Sequence, residues 1–425
     1  MDLYVQVERP SERKGNKVSG ISQEGIRIEF SAWVDAHWDE EIGIVAWRDL
    51  LVASGWAVPS WPERWFGKGL PVWADQVVAG VIRDKGLVGP PIGGGMNLAA
   101  PTILVHGSDE VKEKFLRPTL VGEVKWCQLF SEPGAGSDLA GLSASAVRDG
   151  DEWVVNGQKV WNTSAQYADL GMLLVRTNWD RPKHHGISFF VLPMHQQGVE
   201  VRPIHQMNYH SSFNEVFLTD ARVPTENLVG DTEDGWRIAR TTLAYERTFS
   251  TLRRPAFLGD ENSLGRTLRE AKEEAERHFK TYVWYPQRAG RPDLAIERAR
   301  DNGVASDPVV RQAITRLYSF SKASEWTSSR AQAARALGRA AGPEGSLGKL
   351  AASEVARMSN KVHTLISGTQ GVLKDGDSPL DAVIAEVLIS TPAQSIAGGT
   401  DEIQRNIIGE KILGLSREPE AKSDK

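Results

Sequence analysis

Over the first 120 positions apolar residues recur every three or four residues, the period of an amphipathic helix. Ile26, Phe30 and Trp33 share one face behind Ser22, a residue suited to capping a helix N-terminus. Trp47, Leu50, Leu51 and Ser54 form a second stripe, closed by Gly55. The Pro/Trp/Gly-rich run 59–71 excludes regular structure, and further helices are predicted over about 72–84, 96–106 and 109–120. Ser108-Asp-Glu110 gives the last of these an acidic start that suits the helix dipole.

From about residue 125 the period falls towards two. Val147–Asp149, Glu152–Val155, Leu170–Thr177, Ile187–Pro193, Val199–Pro203 and Glu215–Thr219 are short, partly alternating and bounded by Gly, Pro and Asp. These are strand signals, and the Arg148–Trp153 turn is a hairpin signal. After Gly235 the helical period returns, over about 235–254, 260–284, 308–338, 346–373, 380–390 and 400–413. Residues 287–307, rich in Arg, Gly, Pro and Asp, read as an irregular connection. The pattern divides the chain into helical residues 1–124, a β-barrel or sandwich at 125–232, a four-helix bundle at 233–416, and a charged, disordered tail at 417–425. The fold class is α+β.

Composition narrows the function. Charged residues make up 25% and the net charge is −5, which fits neither a nucleic-acid footprint nor a basic membrane patch. No apolar run is long enough to cross a bilayer, and Met1–Glu8 lacks the apolar core of a secretory leader. A cytoplasmic location is expected. The single cysteine, Cys127, excludes an internal disulfide and reads as a small buried side chain. The nine histidines contain no helical pair spaced for a metal, and His184-His185 sit in a turn, so no metal site is expected. Of the 14 tryptophans, most are expected in the core.

The chemistry concentrates in Leu129–Asp138 and Gly157–Ser164. Gly134 and Gly136 are expected at positive φ in a tight loop after a strand, with Ser131 and Ser137 supplying hydroxyls. Main-chain N–H groups there can hold an anionic or heteroaromatic group. Trp161 adds a flat apolar face and Thr163 a further hydroxyl. Late in the chain Gly399 opens a turn into a helix that Thr400 can cap, leaving N–H groups suited to a phosphate.

Glu132–Asp138, Val155–Thr163, Phe213–Pro224 and Gly399–Gly409 together resemble the acyl-CoA dehydrogenase family of flavoproteins. The resemblance implies FAD as cofactor. Gln128, Phe130 and Ser131 would line the ring edge, and Gly136 and Ser137 would form the loop. Trp161 would lie against the ring, and Thr163 would bond its pyrimidine side. Gly399, Thr400 and Glu402 would serve the pyrophosphate end. It also implies an acyl-CoA substrate, an electron-transferring flavoprotein as acceptor and a homo-oligomer, most simply a tetramer.

The implied reaction removes an α proton and a β hydride from an acyl thioester. The α proton is weakly acidic, so a carboxylate base in an apolar setting is required. Many relatives carry that glutamate immediately before the Gly-Thr turn, where this chain has Gly398. Others place it on the first bundle helix before an arginine, which Glu246-Arg247 matches. Trp236, Ala239, Leu243 and Ser250 form an apolar stripe with Glu246 at its edge. Arg247 would orient substrate or base. That variant resembles actinobacterial members acting on branched or sterol-derived acyl groups.

Two departures keep alternatives open. The region of the family's Arg-x-x-Phe-Gly signature reads Tyr285–Pro292, and its late glycine turn appears only as Gly368–Gly371. Both lie where relatives complete a flavin site across subunits. A half-site subunit of a heteromer therefore stands beside the homomeric dehydrogenase, and an acyl-CoA oxidase beside both.

Overall fold

A computed structural model describes residues 21–252, 265–336, 344–374 and 378–416, with side chains described for these except 247–252, 335, 336 and 344. The expected tail 417–425, the helix ends at 253–254, 260–264 and 337–338, and the Arg247 side chain lie outside the described residues.

The N-terminal helices are α1 (Gln23–His37), α2 (Ile44–Ala53), α3 (Ala74–Asp84), α4 (Ala100–His106) and α5 (Asp109–Val121). The Ser22 hydroxyl accepts from the Gly25 N–H at 2.9 Å, and Ser108 caps α5 in the same way. Phe30, Trp47 and Trp56 are fully buried in the core that these helices share.

The central module is one curled, seven-stranded sheet: β1 (Trp126–Leu129), β2 (Ser145–Asp149), β3 (Glu152–Lys159), β4 (Leu170–Arg176), β5 (Ile187–Pro193), β6 (Val199–Ile204) and β7 (Phe213–Pro224). β5 runs antiparallel along the whole of β4. On the other side of β4, β1 pairs with its first half and β2 joins at Arg176. The Gly-rich loop 130–144 lies in the interval where β1 leaves β4 and β2 arrives.

Side-chain alternation explains the continuous apolar runs of β4 and β5. Met172, Leu174, Phe189 and Val191 face the helical core, while Leu173, Val175, Phe190 and Leu192 face the interior of the sheet. Both faces are buried, so both parities are apolar. The β3–β7 ladder shifts register between Val155 and Gly157, the extra residue lying on β7 between Leu218 and Ala221, and a Cβ at Gly157 (φ 149°) would lie 2.4 Å from the Ala144 Cβ. Cys127 is buried, and burial pushes its thiol up to about 12.

The C-terminal helices are α6 (Gly235–Leu252), α7 (Arg266–Tyr282), α8 (Tyr285–Arg288), α9 (Ala295–Asp301), α10 (Pro308–Ala336), α11 (Glu344–Ser367), α12 (Val383–Ser390), α13 (Pro392–Ile396) and α14 (Asp401–Lys411). They form the helical bundle of an α+β fold, with α10, α11 and α14 in mutual contact through α11. α7 instead reaches back to α2. Arg48 pairs with Glu274 at 2.6 Å, and the Ile44 N–H donates to Glu270 at 2.8 Å.

Residues 287–307 are not an irregular connection. They contain α9, whose Ala295 and Ala299 pack with Val362 and Ile366 of α11. Buried Arg298 donates to His363 Nδ1 at 2.8 Å and to the Ser367 hydroxyl at 2.6 Å. The polar composition that suggested a loop is used here for internal hydrogen bonds.

α6 joins all three regions. His106 of α4 accepts from Arg237 at Nδ1 (3.0 Å), so its Nε2–H donates to the Thr241 hydroxyl (2.8 Å). Burial, with Arg237 beside it, lowers the His106 pKa from 6.5 to about 4. The unfolded chain therefore takes up this proton first. Stability should fall as pH drops from about 6.5 to about 4, and His106→Gln should flatten that part of a Tm-against-pH curve. An unchanged slope would remove His106 from the account.

Candidate active site

The site begins where β1 and β3 end side by side. The Val160 N–H donates to Ser131 O at 2.9 Å, and the Asn162 side-chain amide donates to Gln128 O at 2.8 Å. Asn162 and Asn214 exchange main-chain hydrogen bonds, tying β7 to the same corner. The turn this creates puts Trp161 at φ 63° with 57% of its surface exposed. Its indole stands edge-on to Phe213, with ring centroids 5.8 Å apart.

Beneath the loop lies an ion pair that the sequence reading missed. Lys159 is fully buried, and its ammonium donates to Glu132 at 2.7 Å and to Phe130 O at 3.2 Å. Glu132 also accepts from the Ser143 N–H and hydroxyl and from the Ala144 N–H, all within 2.9 Å. Burial opposes the carboxylate charge, but the Lys159 charge and these donors hold its pKa below the usual range. The signal was available, since Lys159 continues the inward parity of Trp153 and Val155 past the bulge and an inward lysine requires an acid.

Gly134 and Gly136 do not take positive φ, contrary to expectation. The loop turns instead through paired hydrogen bonds between Glu132 and Ala135, which need no left-handed residue. A Cβ added at either glycine would meet nothing within 4 Å, so both border open space. Ser137 is exposed there, while Ser131 and Thr163 are half-buried. The Phe130 ring is buried against Phe189 in the helical core, which leaves only its main chain to line the loop.

Glu246 lies on the opposite wall. Ile238, Ala239 and Thr242 of α6 are fully buried, and Thr242 bonds Thr102 at 3.0 Å. Four residues on, on the same face, Glu246 is half-buried and accepts from the Gln128 side-chain amide at 3.4 Å. Tyr282 of α7 is close enough for the Glu246 charge to add to the burial that raises its phenol pKa. Glu246 thus contacts β1, the strand that leads into the Gly-rich loop. The backbone of Arg247 continues α6.

The C-terminal turn is built as expected but stands elsewhere. Gly398 and Gly399 take φ of 70° and 85°, and Thr400 caps α14 by accepting from the Ile403 N–H. Asp401 is buried on Arg357 at 2.7 Å, and Glu402 is exposed and paired with Arg405. Among the described residues, the hydrogen bonds and ion pairs of the Gly398–Glu402 side chains and turn stay within the C-terminal helices. No hydrogen bond or ion pair among the described residues joins Gly399, Thr400 or Glu402 to Ser131 or Trp161.

Comparison with known families decides the assignment. The models of the acyl-CoA dehydrogenase N-terminal, middle and C-terminal domains match residues 24–123, 127–221 and 293–413. The chain belongs to the acyl-CoA dehydrogenase family. It is similar to the acyl-CoA dehydrogenase IpdE1 of Mycobacterium tuberculosis, 33% identical over 88% of each chain. It also resembles FadE34 of the same organism, 44% identical over 52% of this chain and 31% of that one. Among solved structures, the Tcur3481–Tcur3483 steroid ACAD covers 93% of this chain and 98% of its own, with 26% identity and a TM-score of 0.65. A chain of the Mycobacterium tuberculosis ChsE4–ChsE5 complex covers 95% of this chain and 100% of its own, with 26% identity and a TM-score of 0.60.

Family membership supports an oxidoreductase acting on acyl-CoA, with FAD as the family's general cofactor. This chain's residues fit a flavin. The loop has open space at Gly134 and Gly136, Trp161 offers an exposed planar face, and the buried Asn162 Oδ1 has no partner among the described residues. Those residues contain no cluster able to hold a metal ion and no helix long and apolar enough to cross a membrane.

Proposed function

We propose that this chain is an FAD-dependent acyl-CoA dehydrogenase that introduces an α,β double bond into an acyl-CoA, with Glu246 as the base. The observation that carries this reading is the Gln128–Glu246 contact of 3.4 Å, which joins the acid to the strand of the flavin loop. Gln128, Phe130, Ser131, Gly136, Ser137, Trp161 and Thr163 would hold the cofactor's ring end. When bound, FAD supplies the acceptor for the hydride leaving the β carbon. Glu246 takes the α proton and holds it on a carboxylate oxygen, while the Gln128 amide fixes that carboxylate's rotamer. Half-burial excludes much of the water that would weaken the base. Similarity to a protein named as a steroid ACAD supports a bulky, branched or sterol-derived acyl group. An electron-transferring flavoprotein is the proposed acceptor, and peroxide release on turnover would point to an oxidase instead.

A second reading has its own support. Among the described residues, no hydrogen bond or ion pair ties the turn at Gly399–Glu402 to the loop at Trp161, and two of the similar structures bear two-chain names. On this reading a second chain would bring such a turn to each flavin. In a homo-oligomer that chain is another copy, whereas in a heteromer it is a different subunit. Purification of the chain alone separates these readings. A yellow oligomer with one flavin per chain, bleached anaerobically by acyl-CoA with formation of enoyl-CoA, supports the homomer. A colourless preparation that gains flavin only with a partner chain sinks it.

A further inference from the structure

Beyond the base, α7 carries polar groups near Glu246 that neither the desaturation step nor the flavin uses. His278 and Tyr282 lie four residues apart on α7, one turn along one face, with ring centroids 4.8 Å apart. Tyr282 is next to Glu246 electrostatically, and it meets Tyr285 edge-on at 4.7 Å. The chain of rings continues through Trp284 (5.0 Å) and Phe213 (5.9 Å) to Trp161 (5.8 Å). On the other side, the Gly93–Gly95 turn runs between His278 and Trp126. A Cβ at Gly93, which has φ 108°, would lie 3.5 Å from the His278 ring. A Cβ at Gly95 would lie 2.7 Å from the Trp126 indole at the start of β1. Glu246 thus has Gln128 on one side and Tyr282 on another, and His278 next to Tyr282 meets the glycine turn at Gly93.

Among the described residues, neither the Tyr282 hydroxyl nor a ring nitrogen of His278 has a hydrogen-bond partner. Polar groups on the wall of an acyl cavity are costly to leave unpaired when a ligand covers them. Burial lowers the His278 pKa, against the opposing Glu274 charge, and burial raises that of Tyr282. Near neutral pH the imidazole is uncharged and the phenol keeps its proton. One can donate or accept and the other can donate, but neither offers a full charge to a carboxylate.

We propose that Tyr282 and His278 are specificity-determining residues that select acyl groups bearing an uncharged oxygen, a ketone or hydroxyl, remote from the thioester. This rests on the acyl-CoA dehydrogenase reading of Glu246. A purely hydrocarbon acyl group would bury both polar groups unpaired and bind less well.

The test uses flavin-loaded Glu246→Gln protein, which cannot turn over, and calorimetric titration with two thioesters. These are cyclohexylacetyl-CoA and 4-oxocyclohexylacetyl-CoA, which differ only in one ring ketone. One added hydrogen bond should make the oxo compound bind about tenfold more tightly. Tyr282→Phe and His278→Leu, each added to that background, should reduce the preference several-fold while leaving affinity for the plain compound near its starting value. A merely structural role would weaken both compounds together. Equal binding of the two by the Glu246→Gln protein, or a preference that survives both substitutions, overturns the proposal. Binding of neither compound, with no desaturation by the unmodified protein, sinks the dehydrogenase reading itself and this inference with it.

Discussion

Glu246→Gln is expected to reduce acyl-CoA desaturation by roughly a thousandfold or more, within the range for loss of a positioned general base. Glutamine keeps the size and the hydrogen bond to Gln128 but cannot accept the α proton. Flavin content and Tm should therefore stay close to those of the parent. Exchange of the substrate's α hydrogen with deuterated solvent should be lost together with turnover, because both need the same proton transfer. Turnover within tenfold of the parent would remove Glu246 as base. The prediction is sharp because Gly398, at the position many relatives use, has no side chain to take over.

The second large effect concerns stability. Lys159→Met would strand the Glu132 carboxylate, only 5% exposed, without its cation. Three donors from Ser143 and Ala144 remain, yet breaking a buried pair by removing one partner costs about 3–5 kcal/mol. The same ammonium holds Phe130 O, directly before Ser131. The loop should loosen and flavin should dissociate more readily, while urea denaturation should show the stability loss. Adding Glu132→Gln to Lys159→Met should recover part of it, since the stranded charge is then gone. A single variant as stable as the parent would show that the pair is not what anchors the loop.

The local sequence was informative wherever period and punctuation decide the outcome. The caps at Ser22 and Thr400 are one-residue signals with a local mechanism, and each one forms. The strands at Ile187–Pro193 and Leu170–Arg176 follow their apolar runs closely. Local reading failed at residues 287–307, where arginines that look solvent-bound serve as internal donors. It also failed at Gly134 and Gly136, where the glycines leave room and hydrogen bonds make the turn. β7 and β3 extend beyond their expected ends because each is held by its neighbour, a force that a single segment does not display.

The chain's own order of residues determined its three-part architecture, its family, and the candidacy of Ser131, Trp161, Thr163 and Glu246, because helix period, strand alternation and loop chemistry are short-range properties. Only the tertiary structure brought Gln128 onto Glu246, Lys159 beneath Glu132, and Tyr282 near Glu246. These contacts join positions 27 to 118 residues apart or more, and neither spacing nor propensity encodes which buried polar group will meet which. Burial selects them, since each of these groups would be costly to enclose without a partner, and only the folded chain shows where the partners are.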